Sequence, residues 1–442
     1  MSERDPATDA AIVGNFEDGN RSVGRRQLLG WLTTASAVVL TACGGGGKGH
    51  GSGGNGSGGS STPTSPTSPT APTAPTAPTS PTAPTSPTAP TSPTAPTAPV
   101  ASLKRGVAFT SLESGASVLP GTLGGEVYVT PDVHFSYFKS KGMDHIRLEG
   151  AWERMQPRLY GALGEQLFGT YGGTDPLQNP VAFVKNDLDR AQANGLKVIL
   201  DLCHNYGRRY IGYNGSWANK TLVELGSSQL PIDAFVDYCV KTVQAFGSHP
   251  AVAGIELMNE PHDLAIGDTG WTAACQAAIT AIRKVNTTIP IYVGGYNWQS
   301  ASVWPNVNTN LHTLSDPNNN IVWSAHLYFD ANGSGTYGGG GETAPADQMI
   351  GVERVTPFLN WLKQHGFTKG HIGEFGAPNS SQWSGIVKNF LSTASGGGLA
   401  LTAHQDIAYP NDPYQMNLMA ATDSSGNVTG PDKLVVQAMQ AI

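Results

Sequence analysis

Two segments of the 442-residue chain set a carboxyl at the end of an apolar run: "GIELMNEPHD", residues 254 to 263, with Glu260, and "HIGEFG", residues 371 to 376, with Glu374. In the first, Ile255, Leu257 and Met258 lead into Asn259, Glu260 and Pro261, so a strand-like stretch presents an amide and a carboxyl together. Two carboxyls flanking a glycosidic bond are what its hydrolysis needs. One protonates the leaving oxygen, and the other attacks the anomeric carbon or activates water. Other polar groups take similar places: Arg147 in "HIRLEG", His204 and Asn205 after "KVILDLC", and His326 and Tyr328 in "AHLYFD". One such residue would pass as a cap or turn residue, but five strand ends converging is more than capping explains.

The elements that must position these groups follow from hydrophobic patterning. Strand-like runs fall at 104 to 110, 145 to 150, 197 to 204, 253 to 260, 290 to 295, 320 to 326, 369 to 376 and 398 to 404. Most are separated by segments such as "PIDAFVDYCVKTVQAFG" and "TAACQAAITAIRKVN", whose apolar residues recur at three and four spacing, as one face of a helix does. Eight short apolar strands alternating with helices predict a (β/α)8 barrel over residues 101–442, with its site at the carboxyl ends of the strands. A doubly wound open sheet is the alternative, weakened because no glycine-rich phosphate loop follows the first strand.

These segments carry a resemblance. "RGVAFTSLE", "YFKSKGMDHIRLEGAWERMQP", "VILDLCHNYG", "IELMNEPH", "AHLYFD" and "HIGEFG" resemble, in order over roughly residues 104 to 376, the motifs of glycoside hydrolase family 5, in particular its endo-β-1,4-glucanases. The resemblance implies a retaining double displacement with Glu260 as general acid/base and Glu374 as nucleophile. It assigns Asn259 to the 2-hydroxyl of the sugar at the cleavage site, His204 and His326 to sugar hydroxyls or to support of the site, and Tyr328 to an oxygen of the nucleophile. The implied substrate is a cellulose-like polysaccharide, with mannan, xylan or mixed-linkage glucan as alternatives. A non-catalytic sugar-binding lipoprotein and a transglycosylase are the rival readings.

Physical chemistry supports the division of labour. An acid must hold its proton near neutral pH, which burial or a nearby negative charge promotes, whereas Arg147 within reach would keep Glu374 ionised. Aromatic rings cover the flat apolar faces of sugars. Trp298 is the preferred platform, with Trp152 and Trp271 as further candidates. Relatives carry a tryptophan at the end of the eighth strand where this chain reads Thr402, Ala403 and His404, and Glu149 and Glu256 stand where relatives have small or apolar residues. Glu256 is read as a barrel charge paired with Arg147, and Glu149 as a carboxyl reaching the cleft. "HNYG" and "AHLYFD" supply no third ligand at suitable spacing, so no metal and no other cofactor is expected.

Residues 1–43 read as an export signal. Arg25 and Arg26 precede "QLLGWLTTASAVVLTAC", an apolar stretch too short for a comfortable bilayer span, in a twin-arginine pattern. "LTAC" resembles a lipobox, which makes Cys43 the expected lipidation site and a membrane the expected partner. Residues 44–100 are Gly/Ser-rich and then carry a proline at every third position from Pro63 to Pro99, a composition that builds no core and favours extended polyproline II. They read as a spacer between the anchor and the catalytic domain, with the protein facing the periplasm or the cell exterior. Cys203, Cys239 and Cys275 are an odd set without metal spacing, expected as buried thiols. The net charge of −7 and the lack of a basic cluster exclude nucleic acid, and a monomer is expected.

Overall fold

The computed structural model describes residues 103–409 and 411–442. The signal segment ending at Cys43 and the spacer over 44–100 lie outside the described residues. Within them, eight strands form a closed parallel barrel: β1 (Arg105–Leu112), β2 (His145–Gly150), β3 (Lys197–Asp201), β4 (Val252–Glu256), β5 (Ile291–Gly294), β6 (Ile321–His326), β7 (Gly370–Phe375) and β8 (Ala400–Asp406). Each strand pairs with its neighbours in sequence, and β8 closes on β1, so the predicted (β/α)8 order is the observed one. Helices follow the strands as α1 (Asp132–Ser140), α2 (Pro180–Ala193), α3 (Ile232–Phe246), α4 (Gly267–Val285), the single turn α5 (Trp304–Val307), α6 (Ile350–Gln364), α7 (Ser384–Gly396) and α8 (Leu434–Gln440). None of the described helices is long and apolar enough to cross a membrane.

Helical periodicity explains the outer ring. Along α3, Phe235, Tyr238, Cys239, Thr242, Val243 and Phe246 recur at three and four spacing and are all buried, while along α4 Trp271, Cys275, Ala278, Ile279 and Ile282 do the same. The strands bury nearly every residue because both faces are covered, helices outside and barrel filling within. Cys203, Cys239 and Cys275 are buried free thiols in this packing.

The floor of the barrel is polar. His145 Nδ1 meets Asp144 at 2.6 Å, its Nε2 meets Thr402 Oγ1 at 2.9 Å, that hydroxyl meets His371 Nε2 at 2.8 Å, and His371 Nδ1 meets Ser324 Oγ at 3.1 Å. Burial, with His145 and Arg147 nearby, holds the His371 ring well below the usual histidine pKa and hence neutral. Thr402 therefore belongs to the barrel filling, and His404, two residues on, is the eighth-strand residue that reaches the mouth.

Strand ends differ from the patterning in an instructive way. β3 stops at Asp201 and β4 at Glu256, so His204, Asn259 and Glu260 lie beyond the strands. Their backbone is still tied in: Leu257 N donates to Tyr292 O, Asn259 N to Cys203 O, and Tyr206 N to Asn259 O. At Glu260 the chain turns out of the ladder with φ of 45°. A non-glycine residue in the left-handed region is strained, and such residues gather where the surroundings dictate the conformation.

Candidate active site

Glu374 lies inside β7, next to an irregularity in pairing: Ala325 is opposite Ile372, but His326 is opposite Glu374, which leaves Gly373 as the extra residue. A bulge of this kind re-aims side chains. Glycine is needed there, because a Cβ on Gly373 would stand 2.8 Å from His326 Nε2 and 2.9 Å from Ser324 Oγ.

Arg147, on β2 and fully buried, organises the charges. Its Nε donates to Glu256 at 2.7 Å, Nη1 to Glu149 at 2.5 Å and to Glu374 Oε1 at 3.0 Å, and Nη2 to Asn259 Oδ1 at 2.6 Å. Nη2 also lies 3.0 Å from Asp201 Oδ2. One guanidinium thus faces four carboxylates, and a fixed fork of five donors suits that task. The Glu256 contact is the pairing expected from sequence. Glu149, by contrast, is buried against Arg147, with no exposed surface of its own.

Tyr328 donates its hydroxyl to Glu374 Oε2 at 2.7 Å. Burial pushes the Glu374 carboxyl up, but the positive charges of His326, His404, Arg147 and His204 hold it well below the usual carboxylate range. A group so placed stays ionised. Burial likewise raises the Asp201 carboxyl, offset in part by Arg147 and His204. Asp201 in turn accepts from His204 Nδ1 at 2.7 Å, and His204 Nε2 lies 3.1 Å from the Tyr206 hydroxyl. Against the cost of burial, Glu149 and Asp201 pull the His204 ring up to about 10.

Glu260 faces this cluster from the other side. Its Oε1 lies 2.9 Å from His326 Nδ1, and the same nitrogen is 3.6 Å from Glu374 Oε2. An oxygen of Glu260 and one of Glu374 lie within 4.8 Å of each other. The backbone N–H of Glu260 donates to Gln299 Oε1 at 2.7 Å, and Gln299 Nε2 donates to Glu256 Oε1 and to Ser324 O, both at 3.0 Å. Gln299 ends a run of three left-handed residues, Asn297, Trp298 and Gln299, with φ of 59°, 56° and 51°.

The fold brings Arg147, His204, Asn259, Glu260, His326, Tyr328 and Glu374 into one cluster. Trp298 stands beside it, half-buried, with one face stacked on His262 at 4.2 Å and 14°. Trp152 and Trp271 are not platforms. Both are fully buried, Trp152 between Tyr238 and Arg209, and Trp271 against Phe235 with its Nε1 donating to Gly294 O. Asn205 also turns away, accepting from Trp152 N and donating to Glu153. Sequence spacing offered no third metal ligand, whereas among the described residues the fold brings three such groups together, Glu149–Asp201–His204, Glu149–Glu374–His404 and Glu260–His326–Glu374. Arg147 already bonds a carboxylate in all three groups: Glu149 and Asp201 in the first, Glu149 and Glu374 in the second, and Glu374 in the third. The residues that sequence reasoning missed are Gln299 and Asp201. Asp201 had a readable signal, a charge ending the apolar run "KVILD", and Gln299 had none.

The family profile of Cellulase (glycosyl hydrolase family 5) matches residues 112–402, from the end of β1 into β8. The chain belongs to glycoside hydrolase family 5. It is 31% identical over 283 residues to endo-beta-1,4-glucanase A of Emericella nidulans, which covers 63% of this chain and 74% of that protein. To a probable endo-beta-1,4-glucanase B of Aspergillus oryzae it is 34% identical over 282 residues, 63% of this chain and 73% of the relative. Among solved structures, Pseudomonas stutzeri endoglucanase Cel5A superimposes with a TM-score of 0.63 at 30% identity, over 77% of this chain and 93% of that one. This family 5 member is accordingly a glycoside hydrolase with a (β/α)8 barrel.

Proposed function

We propose that the protein is a retaining, endo-acting β-1,4-glucanase in which Glu374 is the nucleophile and Glu260 the acid/base. The carrying observation is the pair itself: carboxyl oxygens within 4.8 Å of each other, bridged by His326. Double displacement calls for carboxyls about 5 to 5.5 Å apart, and single displacement with an intervening water for roughly 6.5 to 9.5 Å. In the first step the Glu374 carboxylate attacks the anomeric carbon while Glu260 gives its proton to the departing oxygen, leaving a glycosyl ester. In the second, Glu260 takes a proton from water, the hydroxide adds to the anomeric carbon, and Glu374 leaves as a carboxylate. Arg147 and Tyr328 hold both oxygens of Glu374 in place, so the nucleophile need not reorganise between steps. Asn259, fixed by Arg147, presents its amide beside the pair, and Trp298 offers an aromatic face nearby.

The preference for glucan rests on the names of the relatives given above, two endo-β-1,4-glucanases, one of them probable, and an endoglucanase. Incubation with carboxymethylcellulose, mannan, xylan and mixed-linkage glucan, followed by product analysis, tests it. We expect rapid loss of viscosity on the cellulose derivative and products of retained β configuration. Inverted products would sink the mechanism, and a preference for mannan or xylan would sink the substrate. Sugar binding without turnover would leave only a binding protein. The same reading takes the protein as exported, lipidated on Cys43 and carried away from the membrane by residues 44–100. Wild type should enter the detergent phase of a partition and Cys43→Ala the aqueous phase, and equal partitioning would reject the anchor.

A further inference from the structure

His404 and Glu149 have no part in the chemistry described so far, yet both stand at the nucleophile, each offering an atom that lies within 4.8 Å of the other and of Glu374. The hydrogen bonds there have a forced direction. Glu374 Oε2, as a carboxylate, can only accept, so the one hydrogen of the Tyr328 hydroxyl goes to it at 2.7 Å. At His404 Nδ1, 3.2 Å from the same hydroxyl, the tyrosine oxygen must then accept and the ring must donate. The other ring nitrogen, Nε2, lies 3.7 Å from Glu149 Oε2, a buried oxygen with no hydrogen-bond partner. A ring with acceptors at both nitrogens is at home as the imidazolium.

We propose that His404 is a positioning residue for the nucleophile: paired with Glu149, its doubly protonated ring turns the Tyr328 hydroxyl hydrogen onto Glu374. The inference rests on the reading of Glu374 as nucleophile. When His404 loses its proton, Glu149 retains the hydrogen on Nε2, and bare Nδ1 becomes a second acceptor competing with Glu374 for the Tyr328 hydrogen. Other charges facing the ring are Glu374 itself, Arg147 across Glu149, and His204, which opposes a further positive charge. Despite burial, Glu374 and Glu149 raise the affinity of His404 for its proton. This gives Glu149 a purpose. It is the charge that keeps His404 protonated after Glu374 has been esterified and neutralised.

The test uses 2,4-dinitrophenyl β-cellobioside, whose leaving group needs no acid, so the first step reports Glu374 without Glu260. Wild type, Glu149→Gln, His404→Gln and the double variant are compared over pH, with thermal melts to establish folding. In Glu149→Gln the basic limb should move to lower pH by roughly one to three units, the effect of removing one adjacent opposite charge. His404→Gln should abolish that limb and lower the first-step rate, read from the burst of dinitrophenolate, about tenfold with little change in the substrate concentration that gives half that rate, the signature of a group acting on the reaction and not on substrate binding. The double variant should resemble His404→Gln alone. An unmoved limb in Glu149→Gln, a wild-type limb in His404→Gln, or additive losses in the double variant would each overturn the proposal. Failure of the underlying reading is separable, because it would show as a Glu374→Ala variant that still turns over the cellobioside.

Discussion

Glu374 and Glu260 are the same residue type, a few ångströms apart, and the chain secures them by opposite means. Glu374 sits inside a strand, beside its bulge, and is held by charge and hydrogen bonding: Arg147 on one oxygen, Tyr328 on the other, with His326 and His404 close by. Glu260 sits four residues past its strand in left-handed backbone, faced by a loop with three more left-handed residues and anchored through its N–H to Gln299. The nucleophile's side is therefore electrostatically stiff, and the acid's side is sterically strained. A nucleophile that must never take a proton benefits from a fixed positive field, whereas a group that must give and regain one needs above all a defined position, which its backbone N–H on Gln299 and the His326 ring 2.9 Å from its carboxyl supply.

The comparison can be broken most severely at the carboxyls. Glu374→Ala should lose about 10⁴-fold or more in kcat on any substrate. Glu260→Ala should lose about 10² to 10⁴-fold on glucan, with a much smaller loss in the first step on 2,4-dinitrophenyl β-cellobioside. Equal losses for Glu260→Ala on the two substrates would show that the two sides do not divide the work. Arg147→Met should cost about 3 to 5 kcal/mol of stability, because buried carboxylates lose their shared partner, as read from urea melts at pH 7. The sign with pH should also reverse. In the wild type, Glu149 and Glu374 have folded pKa values below their unfolded ones, so they contribute stability above the ordinary carboxyl range and lose it as pH falls through the lowered values. In the variant the buried carboxyls favour the proton, so stability should rise as pH falls from 7 toward 5. A wild-type pH trend would mean that Arg147 is not what holds these groups ionised. The smallest effect is expected at Gln299→Met, which leaves the Glu260 N–H without its acceptor at about 1 to 3 kcal/mol. Its kcat on glucan should fall while the first step on the activated cellobioside is spared. A similar fall on both would deny a special tie between Gln299 and the acid.

Much of this was legible in the sequence because barrel strands announce themselves as apolar runs and their polar ends stand out. That signal located Arg147, His204, Asn259, Glu260, His326, Tyr328 and Glu374, whereas the Glu256 partner of Arg147 stood out as a charge where relatives have small or apolar residues. It misled wherever side-chain orientation mattered. Trp152 and Trp271 follow strand ends as a sugar platform would, but Tyr238 and Phe235 on α3 cover them, and no local pattern reveals which way a tryptophan turns. The end of β4 was read too late because the backbone past Glu256 stays apolar and hydrogen-bonded after leaving the ladder. Gln299 was invisible for a related reason: left-handed backbone at Asn297, Trp298 and Gln299 is imposed by the surroundings and carries no glycine to mark it.

The crowding of four carboxylates onto one guanidinium also bears on how such a site can change through descent. Because Glu149, Asp201, Glu256 and Glu374 share Arg147, replacing any one alters the charge balance felt by the other three, and their substitutions should combine non-additively. A lineage drifting toward another sugar would then have to alter several of these positions together or leave them all alone. Divergence is easier in the outer loops, where a residue such as Trp298 stacks on His262 and not on Arg147 or its carboxylates.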